Sequence, residues 1–157
     1  MVERTMGSRR YRLQVATITV VREGCQPVVR VLDTPERAAA VAVDLAKLAD
    51  DDREHFWVML LNAQNRLLRV EEVSVGTQSA SLVHPREVFR LAVGEGASSL
   101  ILVHNHPSGV PEPSPEDRRL TLDLVAAGQV LDIRVHDHIV VGNGSWSWVS
   151  LASQGAL

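Results

Sequence analysis

The chain has 157 residues, long enough to bury roughly 70% of its unfolded surface in one domain without disulfide staples. With 45% hydrophobic and 22% charged residues it has an ordinary globular composition, and its single cysteine, Cys25, excludes both a disulfide scaffold and a cysteine-built zinc finger. The net charge of −3 conceals an asymmetry: residues 1–30 hold six arginines against two glutamates, a net of +4, while the remainder holds 10 basic against 17 acidic residues, a net of −7.

The longest apolar run, Phe56 to Leu61, is far too short to span a bilayer, and the N-terminal residues show no signal-peptide stretch. The expected setting is therefore soluble and reducing, the cytoplasm. The basic start reads as a solvated strand edge ahead of a nucleic-acid arm.

Residues 1–10 read as a loose arm. Tyr11 to Val21 alternates and is rich in β-branched residues, which predicts a strand. A turn near Arg22–Gly24 leads to its hairpin partner, Gln26 to Leu32. Thr34-Pro35-Glu36 starts a helix, with Thr34 as N-cap and Pro35 at the first helical position, and the alanine-rich stretch carries it to Ala49. After an acidic break at Asp50-Asp51-Asp52, His55 to Leu61 suits a buried strand. Residues Asn62 to Asn65 turn the chain, Leu67 to Val75 returns as a second strand, and Gly76 and Thr77 end it. A helix opens at His84-Pro85-Arg86-Glu87 and runs to about Gly94, and Ser98 to Val103 is another apolar strand. Ser114 to about Val130 is a helix, followed by short strands at Ile133–Val135 and His138–Val141. A turn at Gly142-Asn143-Gly144 leads into Ser145 to Val149. Strands alternating with helices predict a mixed α/β sheet with helices packed on it.

Two of the six histidine positions carry the chemistry. Strand residues i and i+2 point to one face, so if the strand ending at Val103 stays extended, His104 and His106 leave the sheet on one side. Two such imidazoles can reach one zinc ion. A proline-rich loop, residues 107–113, then leads to a helix start at Ser114-Pro115-Glu116-Asp117. Asp117 in the first turn is kept ionised by the helix dipole and is a third, anionic ligand. Three protein ligands leave tetrahedral zinc one open position, the mark of a catalytic site. Taken singly, Ser-x-x-Asp is a common capping box and His-x-His is more often polar filler. His136 and His138 share the spacing without a capped carboxylate downstream, and a supporting or structural role fits them better.

Together the pieces are more specific. His104-x-His106-x7-Ser114-x-x-Asp117 resembles the motif of the JAMM (MPN+ or JAB) metalloproteases, without gap or substitution. Leu61-Asn62-Ala63-Gln64-Asn65-Arg66-Leu67-Leu68, His84-Pro85-Arg86-Glu87-Val88-Phe89, His104-Asn105-His106-Pro107-Ser108-Gly109 and Asp137-His138-Ile139-Val140-Val141-Gly142 resemble the RadC-like members, from about residue 50 onward. The resemblance implies a single α/β JAB/MPN-like domain over 11–157 with a motif core at 54–142. Its implied fold is a mixed, curved sheet flanked by helices in cytidine-deaminase-like layering. It also implies a catalytic glutamate just before a buried strand, the place of Glu54. Longer RadC-like proteins carry an N-terminal helix-hairpin-helix region that this chain lacks, so it reads as the short form.

The implied activity is hydrolysis of a peptide or isopeptide bond with one Zn2+ held by His104, His106 and Asp117. Glu54 would accept the proton of a zinc-activated water and pass it to the leaving amine. Ser114, whose hydroxyl hydrogen stays free when its oxygen caps the helix, would either assist the oxyanion or serve only as the cap. Asn105 and Ser108 would shape the loop, and Gly109 would supply a positive-φ turn. The expected partner is a peptide or protein substrate, with a homodimer compatible. The alternatives are a DNA-associated, metal-dependent protein and a non-catalytic metal-binding module.

Overall fold

The structure, a computed structural model, describes residues 30–49, 52–76 and 83–157. The predicted arm at 1–10, the strand Tyr11–Val21, the turn after it, most of the strand Gln26–Leu32 and Thr77 lie outside the described residues.

Elements follow the order α1 (Pro35–Ala49), β1 (Glu54–Leu61), β2 (Leu67–Gly76), α2 (Pro85–Glu95), β3 (Ser99–His106), α3 (Pro115–Leu131), β4 (Arg134–Gly142) and β5 (Trp148–Ser150). Their boundaries have local causes. Pro35 opens α1 behind Thr34, whose Oγ1 accepts the Arg37 N–H at 3.3 Å. Gly96 closes α2 in the left-handed conformation at φ 66°. Ser114 caps α3.

The strands form one sheet in the order β2-β1-β3-β4-β5. β1 is antiparallel to β2 and β3, β3 is parallel to β4 across the α3 crossover, and β5 returns antiparallel on β4. This is the mixed α/β sheet with flanking helices expected of a JAB/MPN-like domain.

Both faces of the sheet are covered, so its central strands are apolar throughout rather than alternating. The period of two sorts them. Phe56, Val58, Leu60, Leu100 and Leu102 pack with Val88, Phe89 and Ala92 of α2 and Leu120 and Leu124 of α3. Trp57, Met59, Leu61, Ile101 and Val103 pack on the opposite face against the small-residue stripe Ala38, Ala39, Ala42 and Ala46 of α1. Leu100 and Leu102 thus define the face on which His104 and His106 continue.

Two expectations are corrected here. The region predicted as two strands, Ile133–Val135 and His138–Val141, is the single strand β4. A bulge explains the misreading: Leu100 pairs with Val135 but the next residue, Ile101, pairs with Asp137, leaving His136 as the extra residue. The polar His136-Asp137 pair broke the apolar pattern without breaking the strand. The predicted strand Ser145–Val149 starts only at Trp148, because residues 143–147 form a turn in which Trp146 adopts φ 53°.

Candidate metal centre

β3 runs through His106, three residues beyond the predicted end, so the extended conformation on which the same-face argument rests is present. His104 and His106 leave the sheet on one side. Asp117 meets them from the first turn of α3, held there by a reciprocal cap: Ser114 Oγ accepts the Asp117 N–H at 3.1 Å, and Asp117 Oδ2 accepts the Ser114 N–H at 2.8 Å. His104 Nε2 lies 2.9 Å from His106 Nε2 and 3.3 Å from Asp117 Oδ1, and His106 Nε2 lies 3.4 Å from Asp117 Oδ2. The structure therefore brings together the three residues that the sequence paired by spacing alone.

The protonation of His106 leaves this cluster able to hold a cation. His106 Nδ1 is 2.8 Å from the Val110 carbonyl oxygen, which can only accept, so Nδ1 carries a hydrogen and neutral His106 turns a bare Nε2 inward. A bare nitrogen, a second imidazole nitrogen and a carboxylate at these distances repel unless a proton or a metal cation lies among them. Ligand atoms around tetrahedral zinc with bonds of roughly 2.0–2.1 Å stand about 3.3 Å apart. The two histidine–carboxylate separations, one to each carboxylate oxygen, lie near that spacing, and the histidine pair is shorter. The donor set fits a divalent ion.

Burial alone would raise the Asp117 carboxyl. Pairing with His104 and His106 in their protonated forms, and the hydrogen bond from Ser114, prevail and hold it far below the usual carboxylate range. Burial likewise opposes charge on His106, but the bonds to Asp117 and the Val110 carbonyl, with the charges of Asp117 and Glu54, raise its pKa above the ordinary histidine value.

Glu54 is the first residue of β1, opposite Gly76 of β2, and it lines a cleft with Phe56, Ser74, Val83, His104 and Asp117. It thus shares a cavity with two of the three donors, His104 and Asp117. Ser114 is placed differently from expectation. Its hydroxyl is not free: it donates to Asp117 Oδ2 at 2.7 Å.

Several residues that support the site escaped the sequence reading in detail. Asn105 does more than shape the loop. It is fully buried, its Oδ1 accepts the His55 N–H at 2.7 Å, and its Nδ2 donates to the Arg53 carbonyl at 3.0 Å and to Asn143 Oδ1 at 3.1 Å. One amide therefore grips the backbone on both sides of Glu54. Gly109 has the expected positive φ, 84°, and it needs a bare neighbour. A Cβ on Gly142 would stand 2.2 Å from the Gly109 carbonyl oxygen. Ser145 Oγ also donates to that oxygen, at 2.7 Å.

His136 and His138 do not share a face, because the bulge lies at His136. His136 lines a cavity on the α1 side with Pro35 and Ala38. His138 is buried on the other side, its Nε2 2.8 Å from His104 Nδ1. Burial, and then the charge at His104, push the His138 pKa well below the ordinary value.

The sequence pattern of the RadC-like JAB domain matches residues 32–156. The chain belongs to the RadC-like JAB domain family. A UPF0758 protein of Desulforudis audaxviator is 50% identical over 126 residues, covering 80% of this chain and 53% of the relative. One from Desulforamulus reducens is 45% identical over 127 residues, covering 81% and 54%. One from Symbiobacterium thermophilum is 57% identical over 94 residues, covering 60% and 40%. The chain thus spans about half the length of the curated relatives it matches. Among the described residues of this JAB domain, no helix is long and apolar enough to cross a membrane.

Proposed function

We propose that this JAB domain is a cytoplasmic zinc-dependent metallopeptidase of the isopeptidase type, acting on a peptide or protein substrate. One observation carries the reading: Glu54 lines the same cleft as His104 and Asp117, two of the three converging donors that His106 completes.

In this reading the three donors hold one Zn2+. When bound, the ion acidifies a water molecule toward neutrality and polarises the scissile carbonyl. Glu54 takes up a proton on its carboxylate and returns it to the departing amine. Asn105 keeps Glu54 at the cleft by holding Arg53 and His55. Phe56 and Val83 give the cleft an apolar wall that limits water. Ser114 first serves Asp117, and its hydroxyl reaches a substrate oxyanion only by leaving Asp117 Oδ2. The arginines that would carry a nucleic-acid reading lie in residues 1–30, of which only Arg30 is described.

The test measures zinc content and cleavage of a proteome-derived peptide library by the full chain and by His104→Ala, Asp117→Ala and Glu54→Gln. Zinc is expected in wild type and Glu54→Gln and lost from the two ligand variants, with cleavage by wild type alone. A wild type that takes up no divalent ion ends the reading. A wild type that binds zinc but cleaves no more than Glu54→Gln leaves a metal-binding module without hydrolysis.

A further inference from the structure

Thr121 and His138 are both wholly buried, and neither reaches the cleft. They form a hydrogen-bonded chain between two of the donors. Thr121 Oγ1 lies 2.6 Å from the Asp117 carbonyl oxygen and 2.6 Å from His138 Nδ1, and His138 Nε2 lies 2.8 Å from His104 Nδ1. Counting protons gives the chain a direction. The carbonyl can only accept, so the single hydroxyl hydrogen of Thr121 goes to it. The Thr121 oxygen then offers lone pairs alone, and His138 Nδ1 must donate. Neutral His138 presents a bare Nε2, so His104 Nδ1 must carry a hydrogen. That leaves His104 Nε2 bare, facing His106 and Asp117.

We propose that His138 and Thr121 are positioning residues that lock His104 in the tautomer whose Nε2 lone pair faces the donor cluster. The relay starts at the main chain of one ligand residue and ends on the ring of another. Outer partners of metal-bound histidines are usually a carboxylate, a backbone carbonyl or water. Here a second imidazole does the work, oriented by a hydroxyl one helical turn from Asp117. The β4 bulge is its structural precondition. Val135 packs on the α2/α3 face, and without the extra residue His136 the alternation would turn His138 toward α1. His106 needs no such relay, because the Val110 carbonyl performs the same service directly.

The inference rests on the metal-site reading and is independent of hydrolysis. Two measurements test it on the full chain. Long-range 1H–15N correlation spectra of the histidine-labelled protein, metal-free and zinc-loaded, should show His138 protonated at Nδ1 and bare at Nε2. Zinc affinity by chelator competition should fall roughly 10–100-fold in Thr121→Val. Thr121→Ser, which keeps the hydroxyl, should restore it. Thr121→Val is near-isosteric, and its melting curve reports whether the fold survives. A His138 protonated at Nε2, or a folded Thr121→Val that binds zinc as wild type does, overturns the proposal. If wild type binds no zinc, the metal reading fails, and the His138 tautomer in the metal-free protein still decides the relay.

Discussion

Asn105→Ala is the most informative single change, because one amide serves both the sheet and Glu54. The orientation of that amide is determined by its partners: the His55 N–H can only donate and the Arg53 carbonyl can only accept. The three lost contacts have unequal costs. Arg53 is exposed, so water replaces the donor to its carbonyl, and Asn143 can rotate its amide. His55 is buried, and depriving its N–H of a 2.7 Å acceptor costs about 1–3 kcal/mol. Emptying a fully buried side-chain position adds about 1 kcal/mol. The sum, about 2–4 kcal/mol, corresponds to a melting temperature lower by roughly 4–16 °C in a domain of this size. Calorimetry measures the melting, and amide exchange at His55 localises the loss. Asn105→Asp separates the contacts. It keeps the acceptor for His55 but sets a carboxylate against the Arg53 carbonyl. Its carboxyl pKa is therefore raised in the folded state, and part of its stability deficit should disappear as pH falls and the protonated acid becomes a donor. An Asn105→Ala protein that melts within about 2 °C of wild type, with unchanged exchange at His55, refutes the reasoning.

Three further outcomes follow from the same geometry. Gly142→Ala places a Cβ 2.2 Å from the Gly109 carbonyl oxygen, which is backbone and cannot swing aside. It should destabilise by about 1–3 kcal/mol and reduce zinc retention, measured by denaturant titration and metal analysis. Leu124→Ala removes a fully buried side chain from the α2/α3 side of the core and should cost about 2–5 kcal/mol while sparing zinc stoichiometry. For pH, the two shifts act oppositely in the metal-free protein. Asp117 is depressed, so its contribution is present above the ordinary carboxylate pKa of about 4 and is lost as pH falls below it. His106 is raised, so its contribution is present below about pH 6.5 and is lost as pH rises through its folded value. Melting temperature against pH in chelator should therefore fall off on both sides. Added zinc should abolish the alkaline decline, since metal takes the deprotonated imidazole.

The donor cluster was legible because its determinants are local. A strand period places His104 and His106 together, and a capping box aims Asp117, so neither needs a long-range contact to be inferred. Glu54 was legible only through resemblance, since nothing near it in sequence distinguishes it from a solvated charge. Its place in the cleft depends on the β1–β3 register and on the Asn105 clamp. The facing of His138, whose supporting role was expected, was hidden for a related reason. One unpaired residue in β4 reverses the facing of everything after it, and nothing in the sequence announces the bulge except the polar pair that was taken for a break. The Ser114 hydroxyl was assigned to a future substrate because helix capping accounts for its oxygen alone. Its hydrogen depends on the rotamer of Asp117.

That rotamer has an evolutionary reading. The carboxylate that faces the two imidazoles is also the reciprocal half of the cap on α3, so a descendant that abandoned metal would still be penalised for losing it. The histidines carry no such second employment in a helix start. A lineage drifting toward inactivity should therefore shed His104 or His106 before Asp117. A retained aspartate beside a missing histidine marks a helix still being started, long after the chemistry has gone.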